Sequence, residues 1–289
     1  MQLSGIRQWI SGAAAVAIVA MSSNASAADD PIRETALRLE NALDARIGYA
    51  IHDTGTGLGW EHRADERFPM ASTVKLLVCS ALLRQGQVRM KKAWQIQQES
   101  ILPHSPVTQN LVGKQVAASD LCAFTLKTSD NAAANGVLEV LGGPAAVNAF
   151  LQEIGDQTTR SDRNEPSLNE GQPGDLRDTT TPKAMAGTMK SLVLGSALKD
   201  EPRRQLTEWL MSNQVGGPLL RAGIPGDWRI ADKTGSGGFG TRGVVAVMWP
   251  PQRAPIVAAI YLTETTASMD ERNAAIAEIG RAMVKAVAP

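Results

Sequence analysis

Strand-like patterning is confined to the two ends of this chain, and that separation limits its fold more than any other feature. Near the N-terminus, residues 46–52 alternate with a period of two and then turn through the glycine-rich stretch 55–59. Near the C-terminus, residues 228–230, 244–249 and 256–262 read as three further strands. Helical periodicity fills the space between, over 73–83, 131–141 and 144–154, with Gly142-Gly143-Pro144 as a stop and restart signal. An amphipathic helix over 30–43 precedes the first strand, and a closing helix places Ile276, Ile279, Met283 and Val287 on one face. A sheet must therefore be assembled from distant segments, with a helical lobe inserted between them. No internal repeat is evident. The stretch 160–182, rich in polar groups and carrying Pro166, Pro173 and Pro182, reads as a long irregular loop, and loops of that length usually have a function.

The first 27 residues differ in kind. Arg7 is their only charge, residues 10–21 are apolar, and Ala25-Ser26-Ala27 has the small-x-small pattern of a signal-peptidase site. The apolar run is too short to span a bilayer, so 1–27 is expected to be a signal peptide, with delivery to the periplasm and no membrane attachment afterwards. Lys plus Arg and Asp plus Glu balance at 29 each. That balance, without a basic stripe or polybasic segment, argues against nucleic acid and anionic lipid and for a small, compact substrate. Cys79 and Cys122 are the only cysteines. Exported, they could form a bridge or remain as two buried thiols, and spacing alone leaves both open. His52, His62 and His104 lack paired ligand spacing and no cysteine pair of metal-site type exists, so no metal and no cofactor are expected.

The chemistry-bearing residues begin with Ser72-Thr73-Val74-Lys75 at the start of an apolar helical run. A serine and a lysine three apart share a helical face, so the amine can reach the hydroxyl and take its proton or stabilise its alkoxide. The motif alone is weak, because Ser196-Ala197-Leu198-Lys199 matches it too. Its company distinguishes the first copy: Ser129-Asp130-Asn131 and then Lys233-Thr234-Gly235 follow downstream. Ser129 taken singly would be an ordinary helix cap, and Lys233-Thr234-Gly235 an ordinary strand end. The ordered trio is the set found in class A β-lactamases and penicillin-binding proteins.

From about residue 30 onward the chain resembles a class A β-lactamase. Glu165-Pro166-Ser167-Leu168-Asn169 is similar to that family's omega-loop motif, and Ser105-Pro106-Val107, Leu141-Gly142-Gly143-Pro144 and the cysteine pair also match. The resemblance implies an α+β, two-lobed serine β-lactamase/penicillin-binding-protein-like fold, in which an antiparallel sheet flanked by helices (28–62 and 212–289) meets an all-α lobe (63–211). It implies a Cys79–Cys122 disulfide, a small-molecule β-lactam as the only partner, and a monomer. It also assigns roles. Ser72 acylates; Lys75 or Glu165 takes its proton; Ser129 relays a proton to the leaving nitrogen; Glu165, with Asn169 holding the water, drives deacylation. The backbone amides of Ser72 and Ser236 form the oxyanion hole. Lys233, Thr234, Gly235, Ser236 and Arg242 receive the substrate carboxylate, and Asn131 supports Lys75 and the substrate's side-chain amide. Arg163 and Asp178 pair at the loop's neck, and the Glu165–Pro166 peptide is cis.

Two departures stand out. His104 occupies the cleft-mouth position where the family commonly has an aromatic ring. Ala71 and Gly237 replace the cysteines that form a second disulfide in several carbapenem-hydrolysing relatives. Residues 160–163 and 238–240 look like the carbenicillin-hydrolysing subgroup, several of whose members carry arginine where this chain has Lys233. Penicillins, with some cephalosporins, are the expected substrates. A transpeptidase or a β-lactam receptor would share the serine and both lysines but not the Glu-Pro-x-x-Asn segment, and a receptor would normally add a membrane transducer. A solute-binding protein would explain export and two lobes but not the catalytic set.

Overall fold

The structure, a computed structural model, describes residues 30–287, so the expected signal at 1–27 lies outside the described residues. The chain runs α1 (Pro31–Leu43), β1 (Arg46–Asp53), β2 (Gly59–His62), α2 (Val74–Gln85), α3 (Ala118–Thr128), α4 (Asn131–Leu141), α5 (Pro144–Glu153), α6 (Pro182–Val193), α7 (Asp200–Met211), β3 (Arg229–Ser236), β4 (Arg242–Trp249), β5 (Ile256–Thr263) and α8 (Met269–Val287), with shorter turns and two-stranded ribbons between. The five strands form one antiparallel sheet in the order β2-β1-β5-β4-β3. The N-terminal strand pair is thus joined to the C-terminal strands across the inserted helices, as the distribution of alternation requires.

The pleat sorts each strand's side chains between two cores. On β4, Val244, Ala246 and Met248 face the layer of α1 and α8, while Val245 and Val247 face the helical lobe. The closing helix buries Ile276, Ile279, Met283 and Val287 against that first face. Because both faces are covered, these strands read as continuous apolar runs. Against the other face packs α6, and within the helical lobe lies α2, every residue of which from Val74 to Leu83 is buried. A helix enclosed on all sides needs no amphipathic stripe, and one of the residues it encloses is Lys75. The Cys79–Cys122 disulfide is formed and ties α2 to α3.

Local signals fix the ends. Asp30 caps α1 through the amides of Ile32 and Arg33, with Pro31 at its first turn. Gly142 closes α4 at φ 97° and Pro144 opens α5. β3 extends well beyond the expected 228–230; it reads short in the sequence because its second half is polar. β2, a short edge strand of half-exposed residues, has too little pattern to read. Gly48, in β1, faces Phe68: a Cβ there would lie within clash distance of the ring and 3.1 Å from Pro182 Cγ. Gly48→Ala is therefore expected to lower stability by about 1–3 kcal/mol through overpacking, read as a lower urea midpoint with an unchanged slope. An unchanged midpoint would show that Phe68 yields freely. Among the described residues no helix is long and apolar enough to cross a membrane.

Candidate active site

Ser72 is presented by backbone held in an unfavourable conformation. Ala71, fully buried, has φ 44°, and a short 3-10 turn (Ala71–Thr73) leads directly into α2. Non-glycine residues seldom adopt that region, and such strain collects at functional sites. The turn is braced from below, where Thr73 Oγ1 donates to the Met70 carbonyl and meets the Tyr261 hydroxyl at 3.1 Å. It is braced from the side by β3, which comes so close that a Cβ on Gly235 would sit 2.7 Å from the Met70 carbonyl oxygen. The Ser72 side chain opens into a cleft of about 350 Å³ together with His104, Ser129, Asn131, Asn169, Thr234, Gly235, Ser236 and Arg242.

Lys75 and Lys233, both fully buried, converge on one hydroxyl from opposite walls. Lys75 Nζ lies 3.3 Å and Lys233 Nζ 3.1 Å from Ser129 Oγ. With both lone pairs of that oxygen facing ammonium donors, its own hydrogen is left to point into the cleft. Ser129 is not the N-cap of α4: Asp130 caps that helix through the Ala133 amide, and also holds the amides of Val107 and Thr108. Ser129 instead takes φ 63°. Lys75 further donates to the Ser129 carbonyl at 2.7 Å and to Asn131 Oδ1 at 2.6 Å, and forms an ion pair with Glu165 Oε1 at 2.9 Å. It makes no hydrogen bond to Ser72, so the direct reach that helical spacing allows is not what the geometry adopts. Burial pulls the Lys75 ammonium below the usual lysine range, against the opposing pull of Glu165. Burial and the neighbouring Lys75 hold Lys233 well below it, and among the described residues no carboxylate pairs with Lys233. A buried cation of that kind is costly unless an anion joins it.

Glu165 enters from the loop 160–182, which is irregular apart from a 3-10 turn (Ser167–Asn169) and a two-residue bridge to Phe68–Pro69. Its neck is closed by Arg163 Nε to Asp178 Oδ2 at 2.6 Å, while the amides of Asp162 and Arg163 donate to Asp178 Oδ1. The Met70 amide donates to the Asp178 carbonyl, so the same neck anchors the segment leading to Ser72. The Glu165–Pro166 peptide is cis. Asn135, one turn beyond Asn131 on α4, grips Glu165 at both backbone groups, 2.9 Å each. Asn169 Nδ2 donates to Glu165 Oε2. The contact of Glu165 Oε1 with Lys75 is close but not aligned as a hydrogen bond, so Glu165 Oε1 and Asn169 Oδ1 are both buried acceptors without a donor. Buried acceptors are rarely left so. The turn carrying Asn169 packs on the turn carrying Ser72.

Arg242 closes the far end. Its Nε donates to Asn273 Oδ1 at 2.8 Å and its Nη1 to the Gly235 carbonyl at 3.0 Å, and among the described residues it has no carboxylate partner. Burial, with Arg272 nearby, lowers its pKa to about 10. Strand β3 is anchored behind the site by buried Asp232, whose carboxylate accepts from Arg221 and from Asn213, while Asn213 Oδ1 receives the amide of Val215 on the cleft wall. A Cβ built on Gly237 would stand 3.5 Å from that of Ala71, so these positions are neighbours but carry no sulfur.

The catalytic and binding residues that the motifs singled out thus gather at or directly behind one cleft, and the second Ser-x-x-Lys match does not join them. Ser196 and Lys199 are exposed, on a bend before α7. Sequence reading missed Asn135, Asn213 and Asn273, and named Asp130 only as a member of its motif. Only Asn135 had a local signal, its four-residue spacing from Asn131 on an otherwise apolar helix. Among the described residues no cluster of three or more His, Cys, Asp or Glu side chains could hold a metal.

Comparison with known proteins agrees with this geometry. Residues 31–287 match the model of a family described as the β-lactamase enzyme family. The chain is 46% identical over 254 residues to β-lactamase AER-1 of Aeromonas hydrophila, covering 86% of this chain and 84% of that one. It is 47% identical over 248 residues to β-lactamase CARB-3 of Pseudomonas aeruginosa, covering 85% and 86%. The solved structure of an ancestral (GNCA) class A β-lactamase superimposes with a TM-score of 0.85 at 50% identity, over 88% of this chain and 99% of that one.

Proposed function

This chain belongs to the class A serine β-lactamases and hydrolyses the β-lactam amide; from that premise we propose how its own residues divide the work. Ser72 Oγ attacks the lactam carbonyl and gives its proton to Lys75 or Glu165. The backbone amides of Ser72 and Ser236 receive the oxyanion; one such donor contributes about 2.7–4 kcal/mol. The C–N bond then breaks, and Ser129, between two lysines, passes its proton to the nitrogen and is reprotonated with the proton taken from Ser72. Water next attacks the Ser72 ester, losing a proton to Glu165, which returns it to Ser72 Oγ as the C–O bond breaks.

The observation that carries this reading is a pair of buried acceptors without an aligned hydrogen-bond donor, Glu165 Oε1 (in ion-pair contact with Lys75) and Asn169 Oδ1, at the turn that packs beside Ser72. One water molecule satisfies both with its two O–H groups, which is what a deacylating site requires. A transpeptidase or receptor has no use for that arrangement. At the other end, Lys233 and Arg242 lack carboxylate partners among the described residues and suit the carboxylate that penicillins carry. Asn131 and His104 lie where the acyl side chain would rest. Penicillins are the proposed main substrates, with some cephalosporins. The protein is further proposed to act as a periplasmic monomer after removal of residues 1–27, with lobes 28–62 plus 212–289 and 63–211 meeting at the cleft.

Purified protein lacking residues 1–27 is expected to consume a chromogenic cephalosporin or benzylpenicillin with many turnovers per Ser72. Release of one equivalent followed by silence would favour the receptor or transpeptidase reading.

A further inference from the structure

His104 is held at both ends. Its backbone takes φ 62°, a left-handed region uncommon for non-glycine residues, and its carbonyl accepts the Asn131 amide at 3.0 Å. Its ring Nε2 lies 2.9 Å from the Thr128 carbonyl oxygen. A carbonyl only accepts, so Nε2 must carry the ring hydrogen, and in the neutral imidazole Nδ1 is then a bare acceptor. Both tethers run to the segment 128–131, which also carries Ser129 and Asn131. To swing aside, the ring must give up its bond to Thr128. The residue is exposed and lines the cleft.

We infer that His104 is a specificity-determining residue: a fixed wall whose Nδ1 accepts a hydrogen bond from β-lactams bearing an N–H or O–H donor on the carbon next to the side-chain amide. A phenyl or phenol ring at this position would offer only its face or a mobile hydroxyl. The inference rests on the reading that the acyl side chain lies against Asn131. One neutral hydrogen bond at a solvent-accessible wall is modest, so the discrimination expected is about fivefold.

The test compares kcat/KM for ampicillin and benzylpenicillin, which differ by one amine on that carbon, at mildly alkaline pH in the parent and in His104→Phe. The expected result is a fall of about fivefold in the ratio of kcat/KM for ampicillin to that for benzylpenicillin. Equal losses for both, or a greater loss for the α-carboxylate penicillin carbenicillin, would overturn the acceptor role. Long-range 1H–15N NMR of the unliganded parent reads the tautomer without reference to activity, with His104→Phe identifying the signals among the three histidines. Hydrogen on Nε2 is expected. Hydrogen on Nδ1 would sink the inference while leaving hydrolysis intact, whereas a parent that turns over neither penicillin would overturn the hydrolytic reading as well.

Discussion

Glu165→Ala is expected to open one β-lactam per molecule and then hold it, with turnover of benzylpenicillin reduced about a thousandfold or more. The loss follows from what the carboxylate does. Asn135 fixes its backbone on both sides and Asn169 fixes one oxygen, which leaves the other oxygen, Oε1, as a buried acceptor beside the Ser72 turn. Among the described residues no other carboxylate lines the cleft. Acylation should survive, and the reason is electrostatic. Glu165 is the main group raising the Lys75 pKa against burial. Without it, burial acts with less opposition, and the Lys75 ammonium sheds its proton at lower pH. A neutral amine still satisfies the Ser129 carbonyl and Asn131 Oδ1, and its lone pair becomes available to the Ser72 proton. The variant should also avoid the usual cost of an orphaned buried charge, since the lysine neutralises instead. Intact-mass measurement after mixing with benzylpenicillin should show one added substrate mass, located on the Ser72 peptide. Turnover at the parent's rate would mean that another group activates the water.

Much of this site was legible because its chemistry depends on local spacing. Ser72 and Lys75 share one helix start, Lys233, Thr234 and Gly235 share one strand, and Glu165 and Asn169 share one turn. What was not legible depends on tertiary direction. Ser129 reads as a cap because serine before a helix usually is one; Asp130 takes that role because its carboxylate also serves Val107 and Thr108 in a distant loop. The lysine of the first motif reads as aimed at Ser72, yet its donors go to Ser129 and Asn131 and its ion-pair partner is Glu165, groups from two other parts of the chain. β3 read short because Asp232, Lys233, Thr234 and Ser236 interrupt apolar alternation. Those polar residues mark where the strand turns from packing to chemistry. Asp232 anchors its back to Arg221 and Asn213, while Lys233 faces Ser129. The outer fold was easier, since the face of α8, the N-cap of α1, the C-cap of α4 and the start of α5 depend only on neighbours in sequence.

Ser72→Ala is expected to remove turnover almost completely, on the order of a millionfold as for nucleophiles that act within a coupled set, while Ser196→Ala leaves it within about twofold. The two serines carry the same Ser-x-x-Lys signature, so this pair asks whether signature or surroundings confer reactivity. Around Ser72 the surroundings are costly to build. A left-handed alanine, a glycine pressed against the Met70 carbonyl and a buried tyrosine beneath Thr73 all hold the hydroxyl at the cleft wall. Two buried lysines and a buried carboxylate lie beyond it. Around Ser196 there is only exposed chain before α7, with Lys199 exposed as well. Steady-state rates on benzylpenicillin, with absence of a covalent adduct in Ser72→Ala by intact mass, decide between the two serines. Removing a hydroxyl leaves the ion pair of Lys75 with Glu165 untouched, so Ser72→Ala should fold and still bind penicillin through Lys233 and Arg242. Retained binding separates a lost nucleophile from a lost fold. If Ser72→Ala neither binds nor hydrolyses, the hydroxyl was holding the cleft together rather than only attacking; if it binds and still hydrolyses at the parent's rate, the attacking atom lies elsewhere.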